Sequence, residues 1–462
     1  MKRVTLPAQL GPVQSLHFLG IGGAGMSGLA ELAAAAGFQV SGCDAAETPV
    51  LARLRERGLA VCSGHDPQHA EQADVLVVTS AVRADHPEVA AFASQRRPIV
   101  KRAALLGWLA SGFRTVAVAG THGKSTTSAM VALALDATGR SPSFAIGAEV
   151  PDLGGGNARL GTSECFVVEA DEYDYSFLFL EPDVAVVLNV DHDHPDLFPD
   201  HASVIRAFRR FLQRLRPHGV AVLSADDPVT SAFADWLRNA GRRVVTFGMH
   251  ERADFRVEPQ GTLRDPGGRS WPLELAVPGW HNRLNAAAAA AAAVELDVPL
   301  AAVLPALARF RGVGRRFQDV GTVAGARLIV DYAHHPREVA ATIQAARERF
   351  PEARIWAVFQ PHTYTRTLRF LDDFARALEK ADVAVVTDVY AAREEPLPSV
   401  DAGALARRID RIPAIAVPDP AAAAQAVAAG IQAGDVVLFL GAGDIWKAAQ
   451  ALREDNHDAG TR

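Results

Sequence analysis

Short runs of β-branched and apolar residues recur along this chain, each closed by a glycine-rich or polar turn and followed by an alanine- or leucine-rich stretch of helical character. Strands that alternate with helices in this way run parallel, with helices covering the sheet faces. The runs fall into three groups: 16–20, 38–44 and 74–81; then 115–120, 164–171, 183–191 and 219–227; then 327–333, 354–361, 382–390 and 435–444. Each places glycine or polar residues at its C-terminal end, where open α/β sheets bind ligands. Turn-like and polar residues near Ser111–Thr115 and Arg316–Thr322 separate the groups, giving segments 1–112, 113–317 and 318–462. Within the middle one, residues 250–275 read as a small β excursion, and the alanine tracts read as helix.

With 462 residues, 49% hydrophobic and 22% charged, the chain can bury several cores, which excludes disorder as its main state. A formal charge of −6 gives no footprint for gripping nucleic acid. Cys43, Cys62 and Cys165 have neither disulfide nor zinc-ligand spacing and read as reduced, buried thiols. The first twelve residues lack the apolar core of a signal peptide, and the longest apolar candidate for a span, Ala286–Ala293, falls far short of the ~18 residues needed. A cytoplasmic protein without membrane insertion is expected.

Gly20-Ile21-Gly22-Gly23-Ala24-Gly25 follows a strand and opens a helical pattern, in the spacing G-x-G-x-x-G. Its glycines let the backbone approach a pyrophosphate at the positive end of a helix. Asp44, ending the next strand, can accept from a ribose or base. Alone, this loop suggests NAD by default, or merely a tight strand–helix turn.

A second loop, Gly120-Thr121-His122-Gly123-Lys124-Ser125-Thr126-Thr127, has the same strand-to-helix setting. Lys124 suits β- and γ-phosphates, Ser125 suits Mg2+, and the loop N–H groups suit phosphate oxygens. The usual spacing would need glycine at position 118, which is Val118, so this is a shorter variant. ATP is the expected ligand. A dehydrogenase has no use for this loop, and a simple ATPase none for the first. Together they suggest an enzyme that energises a nucleotide-tethered substrate with ATP.

Glu169-Ala170-Asp171-Glu172 ends the second run of the middle group, and Glu169 is the expected Mg2+ partner of Ser125. Asn189-Val190-Asp191-His192-Asp193-His194 ends the next run; one imidazole there, taken as His194, could ligate a second ion, while most of the cluster reads as polar loop. Zinc suits this setting less well than Mg2+.

At this point the chain resembles the Mur ligase family, which builds the peptide of bacterial peptidoglycan. The resemblance runs from Gly20 to Ile445. Residues 20–31 resemble the family's uridine-diphosphate loop, 119–128 its ATP loop, 157–161 and 169–178 its central acidic motif, and 193–196 its metal-histidine motif. Residues 277–289 resemble its adenine-side motif, 312–317 its arginine hinge, and 331–338, 359–367, 389–394 and 441–445 its third domain. Departures are modest: Ser125 for threonine, Tyr173 for serine, Ala104 for glutamate, Phe198 for tyrosine and Val330 for aspartate.

The resemblance implies an α/β protein of three domains, with a Rossmann-like N-terminal domain, a central P-loop ATPase-type domain with a mainly parallel sheet, and a Rossmann-like C-terminal domain. It implies ATP-dependent ligation of L-alanine to UDP-N-acetylmuramate through an acyl phosphate. Gly20, Gly22, Gly23, Ala24, Gly25, Met26, Ser27, Asp44, Ser80 and Ala81 would bind the UDP-sugar. Gly120, Thr121, His122, Gly123, Lys124, Ser125 and Thr126 would bind ATP, with His281, Asn282 and Asn285 at adenine or ribose, Arg316 at phosphate on closure and Asp331 at ribose. The cluster His281, Asn282 and Asn285 could instead cap the alanine helix, and Arg315 could be merely solvated. Lys124, Glu169, His194, His334 and Arg366 would carry the chemistry, with Ser125, Glu169 and His194 holding two Mg2+ ions, for which Mn2+ could substitute. Tyr332, His334, His362 and Arg366 would surround L-alanine; His334 or its neighbour His335 could equally serve packing or a helix cap. The third domain would swing toward the middle one, in a monomer or weak homodimer. The competing readings are a sibling that attaches a preformed tripeptide to the same UDP-sugar, an NAD-dependent oxidoreductase and a non-enzymatic nucleotide sensor.

Overall fold

The computed structural model describes residues 12–459 apart from 393 and 398. The leader reading of residues 1–11, and Arg393 of the motif 389–394, therefore lie outside the described residues. The first sheet contains β1 (Ser15–Leu19), β2 (Gln39–Asp44), β3 (Ala60–Ser63), β4 (Val75–Val78) and β5 (Ile99–Lys101), all parallel in the order β3-β2-β1-β4-β5. The chain leaves β1 for one side of the sheet and later returns to the other, so the topological switch falls at the end of β1. That end carries the first glycine loop.

The second sheet has ten strands: β6 (Arg114–Ala119), β7 (Ser143–Ala145), β8 (Ala158–Arg159), β9 (Cys165–Glu169), β10 (Val184–Val187), β11 (Val220–Ser224), β12 (Arg243–Gly248), β13 (Phe255–Val257), β14 (Thr262–Arg264) and β15 (Ser270–Pro272). Their order is β15-β14-β13-β12-β11-β10-β6-β9-β7-β8. The strands from β6 to β13 pair in parallel except where β8 meets β7, and β14 and β15 add an antiparallel meander, the β excursion expected over 250–275. Strand β6 lies between β9 and β10, and the second glycine loop leaves its C-terminal end.

The third sheet contains β16 (Gln318–Val323), β17 (Ala326–Asp331), β18 (Ile355–Phe359), β19 (Val383–Thr387), β20 (Ala414–Val417) and β21 (Val436–Leu440) in the order β16-β17-β21-β18-β19-β20. Only β16 runs antiparallel to its neighbour. The central strands β18, β19 and β21 are buried along their whole length and read as unbroken apolar runs, as sheets covered on both faces require.

Two compact units result. One holds the first two sheets; the other holds the third sheet together with residues 192–200 and 275–283. The helix Trp280–Val294 carries eight successive alanines, all fully buried, because methyl side chains allow close packing on every side. Among the described residues no helix is long and apolar enough to cross a membrane. Cys43 and Cys165 are buried as expected, whereas Cys62 is exposed: its strand β3 lies at the sheet edge.

Candidate active site

In the first unit a cavity of about 660 Å3 opens between the first glycine loop and the second sheet. The loop builds one wall. Gly20 takes a left-handed φ of +80°, and Gly23 precedes the helix Ala24–Ala35, whose N-terminus faces the cavity. The Gly22 N–H donates to Asp44 Oδ2 at 2.8 Å, and a Cβ at Gly22 would lie 2.9 Å from that oxygen, so only glycine lets Asp44 close the turn. Gly20, Gly22, Gly23, Ala24, Gly25, Met26, Asp44 and Ala81 line the cavity. Ser27 and Ser80 do not: Ser27 is buried with its hydroxyl donating to the Ala24 carbonyl, a helical back-bond.

Among the other lining residues, Arg102 carries no signal in the sequence, and Asn157 opens the motif 157–161 without an individual role assigned to it. Arg102 brings its guanidinium against Gly25, and Asn157 donates from Nδ2 to the Ala24 carbonyl at 2.6 Å, tying the second sheet's edge to the helix N-terminus. An arginine after a short edge strand carries no glycine-type spacing to reveal it.

The second loop is held by the end of β10. Thr121 N–H donates to the Asn189 carbonyl, His122 N–H to Asn189 Oδ1 at 2.8 Å, and Asp191 N–H to Thr121 Oγ1 at 2.8 Å. Gly123, with φ +86°, opens the helix Lys124–Asp136, and a Cβ there would lie 2.6 Å from Asn285 Oδ1. Asn285 thus packs on the loop, and Ser125 is buried on the helix's first turn beside half-buried Thr126.

Lys124 Nζ donates to the Gly120 and Thr121 carbonyls and pairs with Glu172 Oε2 at 2.9 Å. Burial alone would lower its pKa, but the carboxylates of Glu172 and Asp171 outweigh that and hold the ammonium above its ordinary range. The acid expected beside the loop, Glu169, accepts from the Gly147 N–H at 2.6 Å, lines the first cavity with Asp171 and adds to the negative field that keeps Lys124 charged. Glu169 ends β9, the parallel neighbour of β6, and Asp171 follows two residues on. The buried partner of the lysine is Glu172, three residues further on.

The second unit gathers another cluster. Arg366, only 4% exposed, donates from Nε to Asp193 Oδ1 at 2.8 Å, while its terminal nitrogens lie 3.3 Å from His362 Nδ1 and 3.5 Å from His194 Nδ1. Burial would raise the Asp193 pKa, yet Arg366 and His194 hold it well below the ordinary carboxylate range. His334 Nδ1 lies 2.9 Å from the Tyr332 carbonyl, which fixes the proton there and leaves Nε2 as the acceptor. Burial lowers the His334 pKa to about 3 and that of His362 to about 4, with Arg366 adding to both, so both rings are neutral at pH 7. The rings of His334 and His362 lie 6.0 Å apart, and Tyr332 meets His334 edge-on. His335 caps the helix Pro336–Arg349 in a capping box with Glu338.

Asp331 spends both oxygens on the backbone, accepting from Phe317 and Ala333 N–H groups at 2.7 Å. Arg315 is not solvated: it donates to the Gly443 carbonyl at 2.9 Å, and Arg315 and Arg316 both overlie the Tyr332 ring. At the start of the helix Trp280–Val294, Asn282 Nδ2 donates to the Pro278 carbonyl, and His281 is exposed.

The sequence patterns described as Mur ligase family, catalytic domain, Mur ligase middle domain, and Mur ligase, glutamate ligase domain match residues 15–114, 118–293 and 315–443. The chain belongs to the Mur ligase family. A UDP-N-acetylmuramate–L-alanine ligase of Kineococcus radiotolerans is 48% identical over 451 residues, covering 95% of this chain and 94% of that one. The ligase of the same name from Aromatoleum aromaticum is 44% identical, covering 94% and 96%. The solved UDP-N-acetylmuramate–alanine ligase of Thermotoga maritima superposes with a TM-score of 0.80 at 30% identity, covering 96% of this chain and 99% of its own. Three domains of mainly parallel sheet are the architecture of this Mur ligase.

Proposed function

We propose that this chain joins L-alanine to UDP-N-acetylmuramate at the expense of ATP, releasing ADP, phosphate and UDP-N-acetylmuramoyl-L-alanine, a step in peptidoglycan precursor synthesis. The observation that carries the reading is the pairing, in one compact unit, of a helix-capped glycine-loop cavity with a second glycine loop whose partly buried lysine stays charged.

A carboxylate does not acylate an amine at neutral pH, because its leaving group would be oxide or hydroxide. Transfer of the γ-phosphoryl group to the muramate carboxylate oxygen releases ADP and makes an acyl phosphate. The alanine amine attacks the acyl carbon, the tetrahedral intermediate collapses, phosphate leaves, and the amine proton passes to a base.

Residues 1–112 would bind the UDP-sugar, 113–317 ATP and 318–462 the amino acid. In the first loop Gly20, Gly22, Gly23, Ala24 and Gly25 present N–H groups and a helix dipole to the diphosphate, and Asp44 orients the turn. In the second, the N–H groups of residues 120–126 and the Lys124 ammonium hold the ATP phosphates. Hard oxygen donors fit Mg2+, and the Ser125 hydroxyl and the Glu169 carboxylate are such donors; His194 is assigned to a second ion. Bound Mg2+, or Mn2+ in its place, would offset charge between the muramate carboxylate and the γ-phosphate. Arg366, with its Nε held by Asp193 and its terminal nitrogens beside His362 and His194, would turn those nitrogens to the alanine carboxylate or the acyl phosphate. The Nε2 atom of His334 is the candidate proton acceptor. Asn285 and Arg316 would contact the nucleotide. Asp331, Asn282 and Tyr332 act by shaping backbone and ring positions. The substrates are those of the cytoplasm, where we place the enzyme.

Mass spectrometry of the product formed from ATP, UDP-N-acetylmuramate and an equimolar mixture of L-alanine and the tripeptide tests the acceptor. Addition of one alanine residue is expected; addition of the tripeptide would move the reading to the sibling reaction.

A further inference from the structure

A second polar cluster lies behind the first glycine loop and has no part in the chemistry above. His17 on β1, Cys43 on β2 and Glu88 at the start of the helix Pro87–Ser94 are all buried, and their ligand atoms lie within 4.8 Å of one another. Cys43 Sγ is 3.1 Å from Glu88 Oε1, and His17 Nε2 is 3.4 Å from Glu88 Oε2. A further donor flanks the group: His65 Nδ1 lies 3.3 Å from Cys43 Sγ and 3.4 Å from Glu88 Oε1.

These separations have a simple reading. Four ligands held at about 2.0–2.3 Å from a tetrahedral zinc ion lie about 3.3–3.8 Å from each other. His17, Cys43 and Glu88 are already gathered near that spacing, and His65 flanks Cys43 and Glu88. His17 Nδ1 is engaged with Ser41 Oγ at 2.9 Å, which turns Nε2 inward, and Nε2 has no hydrogen-bond partner among the described residues although His17 is 1% exposed. The buried Nε2 therefore faces Glu88 Oε2 at 3.4 Å without a close hydrogen bond, an arrangement that a shared cation would satisfy.

We propose that His17, Cys43 and Glu88 form a site for one zinc ion, with the neighbouring His65 turning in as the fourth ligand. The charges balance: Zn2+ with one thiolate, one carboxylate and two neutral imidazoles is electrically neutral, as burial demands. Binding releases one proton to solvent, that of the Cys43 thiol. The exposed His65 gives the entry path. The ion would tie β1, β2, the loop after β3 and the helix Pro87–Ser94 together. The Gly20 and Ile21 N–H groups donate to the Cys43 carbonyl at 2.8 and 3.0 Å, so the same ion would brace the glycine loop from behind. This site is separate from the Mg2+ positions proposed above and stands whether or not those are right.

The test is a Co2+ titration of the chelator-stripped full-length protein with Mg2+ in excess, which blocks hard-donor sites without competing for a thiolate. One equivalent is expected to produce a thiolate-to-cobalt charge-transfer band that Zn2+ abolishes. Cys62→Ser should leave the band intact and Cys43→Ser should remove it. Ser41→Ala should keep it while weakening affinity roughly 10–100-fold, the usual effect of losing an orienting partner. Absence of the band in the unaltered protein, or its persistence in Cys43→Ser, would overturn the proposal. If Cys43→Ser does not fold, X-ray absorption of the zinc-loaded unaltered protein decides: one sulfur with three nitrogen or oxygen neighbours supports the site, and a shell without sulfur refutes it.

Discussion

Lys124 Nζ lies 2.9 Å from Glu172 Oε2, an ion pair in which the carboxylate is almost wholly buried. The pair holds a cation in place for phosphate oxygens before any nucleotide arrives. Removing the negative partner leaves that cation under-compensated. Glu172→Gln is expected to lower unfolding free energy by about 2 kcal/mol, and ATP should stabilise this variant more than the unaltered protein, because phosphate replaces the lost charge. Urea unfolding with and without ATP checks this; equal stability of the two proteins would contradict it.

Gly123 is where the second loop tolerates no side chain. Alanine there meets a left-handed φ that costs about 1–2 kcal/mol and the oxygen of Asn285 at 2.6 Å. Calorimetry of ATP binding to Gly123→Ala should show affinity lowered by about tenfold or more, with the uridine substrate bound as before.

Arg102 reaches the cavity wall beside Gly25. Arg102→Met is expected to raise KM for UDP-N-acetylmuramate by about 10–100-fold, the size of one charge-assisted hydrogen bond. The KM values for ATP and L-alanine should not move. A uniform change in all three would point to misfolding instead.

His334 gives a pH prediction. Burial holds its pKa near 3 in the fold, against about 6.5 in the unfolded chain. Between those values the unfolded chain binds a proton that the native chain refuses, so stability is full above pH 6.5 and is lost as pH falls toward 3. From pH 7 to pH 5 this one ring accounts for about 1–2 kcal/mol. Urea unfolding at the two pH values should show a smaller difference for His334→Gln by that amount.

Much of this was legible before the structure. The apolar runs mark the central strands, and the two glycine loops appear at the switch points of their sheets. What escaped has physical reasons. Strands β16 and β20 lie at sheet edges with largely exposed side chains, so no apolar run announces them. Glu169 and Glu172 sit in one acidic string, and only the folded backbone decides that Glu172 pairs with the lysine while Glu169 caps the Gly147 N–H. Arg315 reads as a solvated neighbour of Arg316 until the carbonyls of residues 441 and 443, far along the chain, are brought to it. The cluster of His17, Cys43, His65 and Glu88 draws one residue from each of four separate elements, and spacing rules for metal sites see only neighbours in sequence.

The central claim is that hydrolysis of ATP is coupled to formation of an alanyl amide on the UDP-sugar. Phosphate release measured with ATP, Mg2+ and UDP-N-acetylmuramate, adding L-alanine, glycine, L-serine or the tripeptide one at a time, tests it directly. Release that requires both the UDP-sugar and L-alanine, and disappears in Lys124→Ala, is the predicted result. Release independent of the UDP-sugar, or none with any acceptor, would contradict it.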